Sequence, residues 1–259
     1  MSRLEAKIEG IGFWTRGLPS WPAAREFASS GAQPADAPAR PSPQLLPANE
    51  RRRAPETVAI ALEVAMAACE AASRDPASLP SVFASTHGEL AITDYMCTTL
   101  AADPRALSPT RFHNSVHNAA AGYWTIGTGA MQPANAISAY TASFAQGLIE
   151  ALTQLHDDAD AVLLVAYDGQ SAGPLAKMAP SEGLLGGALV LSRDGAGPRL
   201  SARLVPVSTR EPATGPLARF ASANAMAPML PLFDVLARGA GTAVLPASAA
   251  HDLLVEVNP

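Results

Sequence analysis

The chain reads as an α/β layered domain: a mixed, five-stranded sheet between helical layers, followed by a short C-terminal extension. Three observations predict this. Ala159 to Tyr167 (ADAVLLVAY) is a continuous apolar run, the pattern of a strand buried on both faces. Leu184 to Ser192 is a second strand of that kind. Segments with apolar residues at helical spacing separate these and other short strands, and strands alternating with helices specify a layered α/β arrangement. No short-period repeat is visible.

The elements follow in order. Lys7 to Phe13 (KIEGIGF) predicts a first strand broken by glycines. Residues 31–56 are rich in proline and alanine and predict an irregular surface loop. Thr57 to Ser73 has helical spacing and nothing to break it, which predicts a buried helix. Asp75-Pro76 and Pro80 lead to a strand at Ser81–Ser85, then a helix from Glu89 to Ala101, with Pro104 and Pro109 bounding the next connection. Asn114 to Thr128 (NSVHNAAAGYWTIGT) predicts a loop entering a tightly packed helix. Ala134 to Ala139 is the third strand, and a helix runs from Ala142 to His156. Beyond the two buried strands come a strand at Arg199–Pro206, one or two helices between Leu217 and Ala237, and a last strand at Leu253–Val257. Residues 1–195 are expected to form the layered unit, and 196–259 an extension packed on the same domain.

Composition narrows the function. The chain has 259 residues, 48% of them hydrophobic and only 16% charged, enough for one large buried core. A net charge of −5 and a pI near 5.5 give no reason to expect nucleic-acid binding. The one basic block, Arg51-Arg52-Arg53, reads as a solvated face before a helix. Two cysteines, Cys69 and Cys97, are too few for a disulfide framework or a metal cluster, and suit a reducing cytosol. The N-terminus lacks the apolar core of a signal peptide, and no apolar run approaches the ~20 residues that span a bilayer. A cytoplasmic protein without membrane span, metal or cofactor is expected.

The most informative stretch is Ile137-Ser138-Ala139-Tyr140-Thr141-Ala142-Ser143-Phe144, an apolar strand turning directly into a helix. A side chain at that turn faces free N–H groups and the positive end of the helix dipole, which activate a nucleophile. ISAYTAS resembles the nucleophile elbow of the β-ketoacyl synthases, in the thiolase-like superfamily. Other stretches resemble the N-terminal half of that family in the same order: IEGIG its first strand, SVFASTHGE its second strand and glycine turn, FHNSVHNAAAGYW the helix beneath the active site, and GLLGGALVL its glycine-bearing last strand. The resemblance covers roughly residues 5–195.

Two departures accompany it. Thr141 stands where the family carries its acyl-accepting cysteine, and a threonine hydroxyl is un-ionised at neutral pH. The family's second half brings two histidines into the site, whereas residues 196–259 hold one, His251. The resemblance therefore implies a shortened chain-length-factor-like protein without catalysis of its own. Such a protein pairs with an active β-ketoacyl synthase, as in aryl polyene-type pigment biosynthesis, and meets acyl-carrier protein through that heterodimer. An isolated half would also leave the strand before the elbow as a long apolar edge. Tyr140, Thr141, Tyr123, Trp124, His117 and Asn118 are the candidates for the interface and for the floor of the partner's acyl tunnel. An acyltransferase or decarboxylase acting on carrier-bound acyl groups is the alternative from another class. Thr141 itself has two readings, an acyl acceptor or a helix N-terminal residue whose hydroxyl satisfies backbone donors.

Other signals compete. Gly169-Gln170-Ser171-Ala172-Gly173 matches the G-x-S-x-G hydrolase elbow, with Asp194 or Asp234 and then His251 in the hydrolase order. Pro174 and Pro180 leave little room for the helix that elbow requires. His113 and His117 are four apart, as in a helical zinc pair, but lack a third ligand. His87 suits a turn, and His156 suits the negative end of a helix. Cys69 and Cys97 are expected as buried, inert thiols.

Overall fold

Alternation within one apolar run sets the layers. In the strand Ala161–Asp168, Val162, Leu164 and Ala166 enter one hydrophobic cluster while Leu163, Val165 and Tyr167 enter another, so both faces of the sheet are covered. The computed structural model describes residues 3–207 and 212–259. Among these, eight strands form one mixed sheet: β1 (Leu4–Thr15), β2 (Ser81–Ala84), β3 (Ala134–Ile137), β4 (Ala161–Asp168), β5 (Leu185–Ser192), β6 (Arg199–Pro206), β7 (Gly241–Pro246) and β8 (His251–Asn258). Their order is β3-β2-β4-β5-β1-β6-β8-β7. β2 pairs in parallel with β3 and with β4, and the other pairings are antiparallel.

Nine α-helices are described: α1 (Trp21–Ser30), α2 (Ala48–Arg51), α3 (Glu56–Ala72), α4 (Leu90–Ala102), α5 (Pro109–His113), α6 (Ala119–Thr128), α7 (Ser143–Asp157), α8 (Pro216–Phe220) and α9 (Leu230–Arg238). α3 and α6 cover one face of the sheet, packing with Trp14, Phe83 and Trp124. α7, with α1, α8 and α9, covers the other around Phe13, Phe144 and Phe233.

The expected five strands are the first five in the sheet order, and the count is corrected to eight. Beyond residue 195 three strands extend the sheet, β6 pairing with β1, β8 with β6 and β7 with β8, while α8 and α9 pack on its face. β7 escapes the pattern because Gly239, Gly241 and Pro246 bracket a six-residue strand with turn signals. α1 was also not expected, although Ser20 accepts a hydrogen bond from the Ala23 N–H, Pro22 stands in the first turn and Gly31 closes the helix at φ 77°. The glycines of β1 do not break it. A Cβ on Gly10 would lie 2.1 Å from the Ala68 carbonyl oxygen, and one on Gly12 would lie 1.9 Å from that of Val64. They let the backbone of α3 rest directly on the strand.

Cys69 is buried, and desolvation pushes its thiol up to about 12. Cys97, on α4, is exposed, against expectation. It is exposed because α4, though apolar in composition, buries none of its residues.

Candidate functional site

The elbow is built by backbone geometry at the end of β3. Ser138 and Ala139 lead into a 3₁₀ turn, Tyr140–Ala142, and α7 begins at Ser143. Tyr140 has φ 54°, the left-handed conformation that a bulky residue adopts only under constraint. The Ser143 hydroxyl donates to the Tyr140 carbonyl at 2.7 Å and accepts from the Ala139 N–H at 3.0 Å. Ser143 thus does the work expected of Thr141. No side chain caps α7 at Ala142, and Thr141 Oγ1 makes no hydrogen bond among the described residues. Its side chain instead lines an open cleft of about 840 Å³ with Pro180, Glu182, Ala223, Asn224, Pro228 and Val244. Small, apolar walls with few polar groups are the usual lining of a small-molecule site.

The turn after β2 locks the elbow from behind. Ser138 Oγ donates to the Thr86 carbonyl at 3.0 Å, and Thr86 Oγ1 donates to the Tyr140 carbonyl at 3.3 Å. Thr86 is held in turn by Asp168, the last residue of β4, which is fully buried. One carboxylate oxygen accepts from Ser85 Oγ (2.8 Å) and the His87 N–H (3.1 Å), the other from the Thr86 N–H (2.9 Å). Burial pushes the Asp168 carboxyl above its ordinary range, while these donors pull it back. Sequence reasoning missed Asp168. Its signal was an acidic residue closing the continuous apolar run of β4, where only a fully paired carboxylate is tolerated.

The predicted residues fall into separate groups. Tyr140 is 63% exposed at the elbow, beside Thr141. Tyr123 and Asn118 line a second cleft of about 670 Å³ with Leu45, Phe112, Val116 and Ile126. Tyr123 also donates its hydroxyl to Asn114 Oδ1 at 3.1 Å. Trp124, on the opposite side of α6, is fully buried against Phe83, and its indole N–H has no partner among the described residues. His117 Nε2 lies 2.9 Å from the Ser85 carbonyl oxygen, pinning the α6 entry to the β2 turn.

The competing signals separate as well. His113 ends α5 and stacks edge-on with Tyr123, away from the partner of His117, and the described residues include no group of three potential metal ligands. Ser171 Oγ donates to the Ala179 carbonyl, and a 3₁₀ turn at Pro174–Lys177 follows in place of a helix. Asp234 accepts from the Leu217 and Ala218 N–H groups at 2.9 and 3.1 Å, capping α8. The serine, the acid and His251 in β8 share no hydrogen bond among the described residues. His156 Nδ1 donates to the Leu152 carbonyl at 3.0 Å.

An unpaired apolar surface adjoins the elbow. β3 is an edge strand with three of its four residues exposed. Near it, Ile126 is 81% and Met131 95% exposed. No helix of the described residues is long and apolar enough to cross a membrane.

Comparison with known proteins gives a consistent picture. The family of the β-ketoacyl synthase N-terminal domain matches residues 21–240, beyond the expected limit at 195. No curated protein matches the chain. Among solved structures, a chain of the ketosynthase (ApeO) in complex with its chain length factor (ApeC) from Xenorhabdus doucetiae superimposes with a TM-score of 0.77 at 23% identity, over 98% of this chain and 99% of that one. A chain of the AntDE:AntF complex, a type II polyketide acyl-carrier protein with its hexaketide-bound ketosynthase, gives 0.77 at 10% identity, over 99% of both. A chain of the ishigamide ketosynthase/chain length factor gives 0.74 at 13%, over 98% and 99%. The fold is the thiolase-like ketosynthase fold.

Proposed function

The chain belongs to the β-ketoacyl synthase family, matching its N-terminal domain, and from that membership we propose that it is a chain-length-factor-like subunit rather than a condensing enzyme. It pairs with an active ketosynthase and shapes the acyl tunnel in which the partner extends a polyene or fatty-acid-like chain. Acyl transfer and condensation belong to the partner's own residues, and acyl-carrier protein acts on the heterodimer. An aryl polyene-type product and a cytoplasmic setting complete this reading.

The observation that carries it is Thr141 at the elbow. The strand, the strained turn and the helix N-terminus are kept, and Thr141 supplies a hydroxyl with no hydrogen-bonded base among the described residues. A serine or threonine needs such a base to attack, whereas a cysteine at a helix end ionises readily. The unpartnered surface supports the pairing. β3 offers an open sheet edge, and Ile126 and Met131 before it and Tyr140 after it expose apolar groups that a lone subunit gains nothing by exposing. The second cleft suits the tunnel floor, with Tyr123 and Asn118 on its wall and Trp124 and His117 holding that wall from behind.

Co-expression with the ketosynthase encoded beside it tests the proposal. A stable 1:1 complex is expected, active only with the partner's cysteine and unaffected by Thr141→Ala. Within that complex Tyr123→Ala lengthens the product. The cleft at Thr141 favours a second reading, an acyltransferase or decarboxylase. Turnover of acyl-carrier substrates by the chain alone, abolished by Thr141→Ala, establishes that reading and ends the first.

A further inference from the structure

Asp168 lies at the centre of a chain of contacts whose far end is the exposed elbow. Its carboxylate spends all of its hydrogen bonds on one turn, accepting from Ser85 Oγ, the Thr86 N–H and the His87 N–H. The Ser85 hydroxyl, so oriented, accepts from the Gly88 N–H at 2.9 Å and closes the turn. Thr86 carries the restraint outward through its hydroxyl to the Tyr140 carbonyl and through its own carbonyl to Ser138 Oγ. The strands involved, β4, β2 and β3, lie side by side in the sheet. Three strand ends are therefore tied together by a carboxylate that has no exposure of its own. A left-handed tyrosine persists only where its surroundings over-determine it. The Tyr140 carbonyl, which accepts both Thr86 Oγ1 and Ser143 Oγ, is where that determination acts.

We infer that Asp168 is the positioning residue of the elbow: through Thr86 it fixes the Tyr140–Thr141 surface that the chain presents to its partner. The part concerning the partner rests on the reading of the chain as a ketosynthase-binding subunit. The part concerning the elbow stands without it. Neither Asp168 nor Thr86 needs to touch the partner for the effect.

The test uses the full chain, free and with the ketosynthase. In the free chain, amide hydrogen exchange is measured for Asp168→Asn, Thr86→Val and the double variant. Asp168→Asn turns an acceptor into a donor facing the Thr86 N–H. It is expected to speed exchange at least tenfold at Thr86, His87 and Gly88 and also at Ala139 and Ala142, with α3 and β5 unchanged. Thr86→Val removes the hydroxyl arm of the outward link and keeps the carbonyl arm to Ser138 Oγ, so Ala139 and Ala142 lose protection, less than in Asp168→Asn, while Gly88 keeps it. The double variant is no worse at the elbow than Asp168→Asn alone, the signature of one shared path. Each variant then weakens the heterodimer at least tenfold. Elbow amides that stay protected in Thr86→Val overturn the inference, even if Asp168→Asn fails to fold. So does Asp168→Asn acting on all of β2, β4 and α3 alike, which is loss of core. If the wild-type chain binds no ketosynthase, the pairing proposal fails and the exchange result still decides the role of Asp168.

Discussion

Tyr140 combines two costs that a free chain has no use for, a left-handed backbone and a 63% exposed aromatic ring. A non-glycine residue in that region costs about 1–2 kcal/mol, and glycine gives back part of the gain through unfolded-state entropy. Tyr140→Gly is therefore expected to stabilise the isolated chain by about 0.5–1 kcal/mol in urea unfolding while weakening the complex. Destabilisation of the free chain would show that the ring is needed for the fold itself. At Gly12 the sign is opposite. A methyl group 1.9 Å from the Val64 carbonyl oxygen must push α3 off β1, so Gly12→Ala should cost about 2–4 kcal/mol. Glu9 supplies a pH dependence. The Arg74 guanidinium, 2.7 Å away in a two-pronged contact, holds its carboxyl below the ordinary carboxylate range. Because the folded value lies below the unfolded one, the stabilisation is complete above about pH 4.3 and fades as pH falls through the lowered value. The stability gap between wild type and Arg74→Met should thus be full at neutral pH and close on acidification. A gap independent of pH would assign the effect to packing of the arginine stem.

At the scale of elements, β3 has two unlike sides. The Ser81 N–H donates to the Pro133 carbonyl and the Ser85 N–H to that of Ile137, so the odd-numbered residues face β2 while Ala134 and Ala136 turn their backbone groups outward. Ala136→Pro deletes an outward N–H and spares the β2 pairing. It is expected to reduce partner affinity tenfold or more with little change in thermal midpoint, and unchanged affinity would remove β3 from the interface. The sequence made the buried elements legible for a physical reason. β4 and β5 are covered on both faces and read as unbroken apolar runs, and α3, with Val58, Ile60, Leu62 and Val64 all buried, has nothing to interrupt it. α1 was obscured because packing against α9, remote in sequence, decides it, and β7 because Gly239, Gly241 and Pro246 give turn signals around a short strand that pairs with the neighbouring β8. The elbow was legible as strand, turn and helix. Its restraint was not, since Asp168 and Thr86 meet across 82 positions of chain.

For the whole molecule, the final residues matter more than an appendage would. Leu200, Ala202, Leu253, Val255 and Val257 are buried in the same cluster as β1 and α7, and α9 contributes Phe233, which stacks with Phe13 at 5.5 Å and with Phe144 at 6.3 Å. Burying a large apolar side chain is worth roughly 1.5–3 kcal/mol, so losing this set exceeds the stability of an ordinary domain. Residues 1–195 alone are expected not to unfold cooperatively in calorimetry. A soluble fragment with a single sharp transition would contradict this and restore an independent N-terminal unit.

The open side of β3 also bears on how a cell must make the protein. A chain whose sheet edge is completed by another gene's product, as proposed for this one, is safe only when the two are synthesised in step. Molecules in excess remain in a state that chaperones hold and proteases clear, so the abundance of this subunit should follow the dosage of its partner rather than that of its own gene.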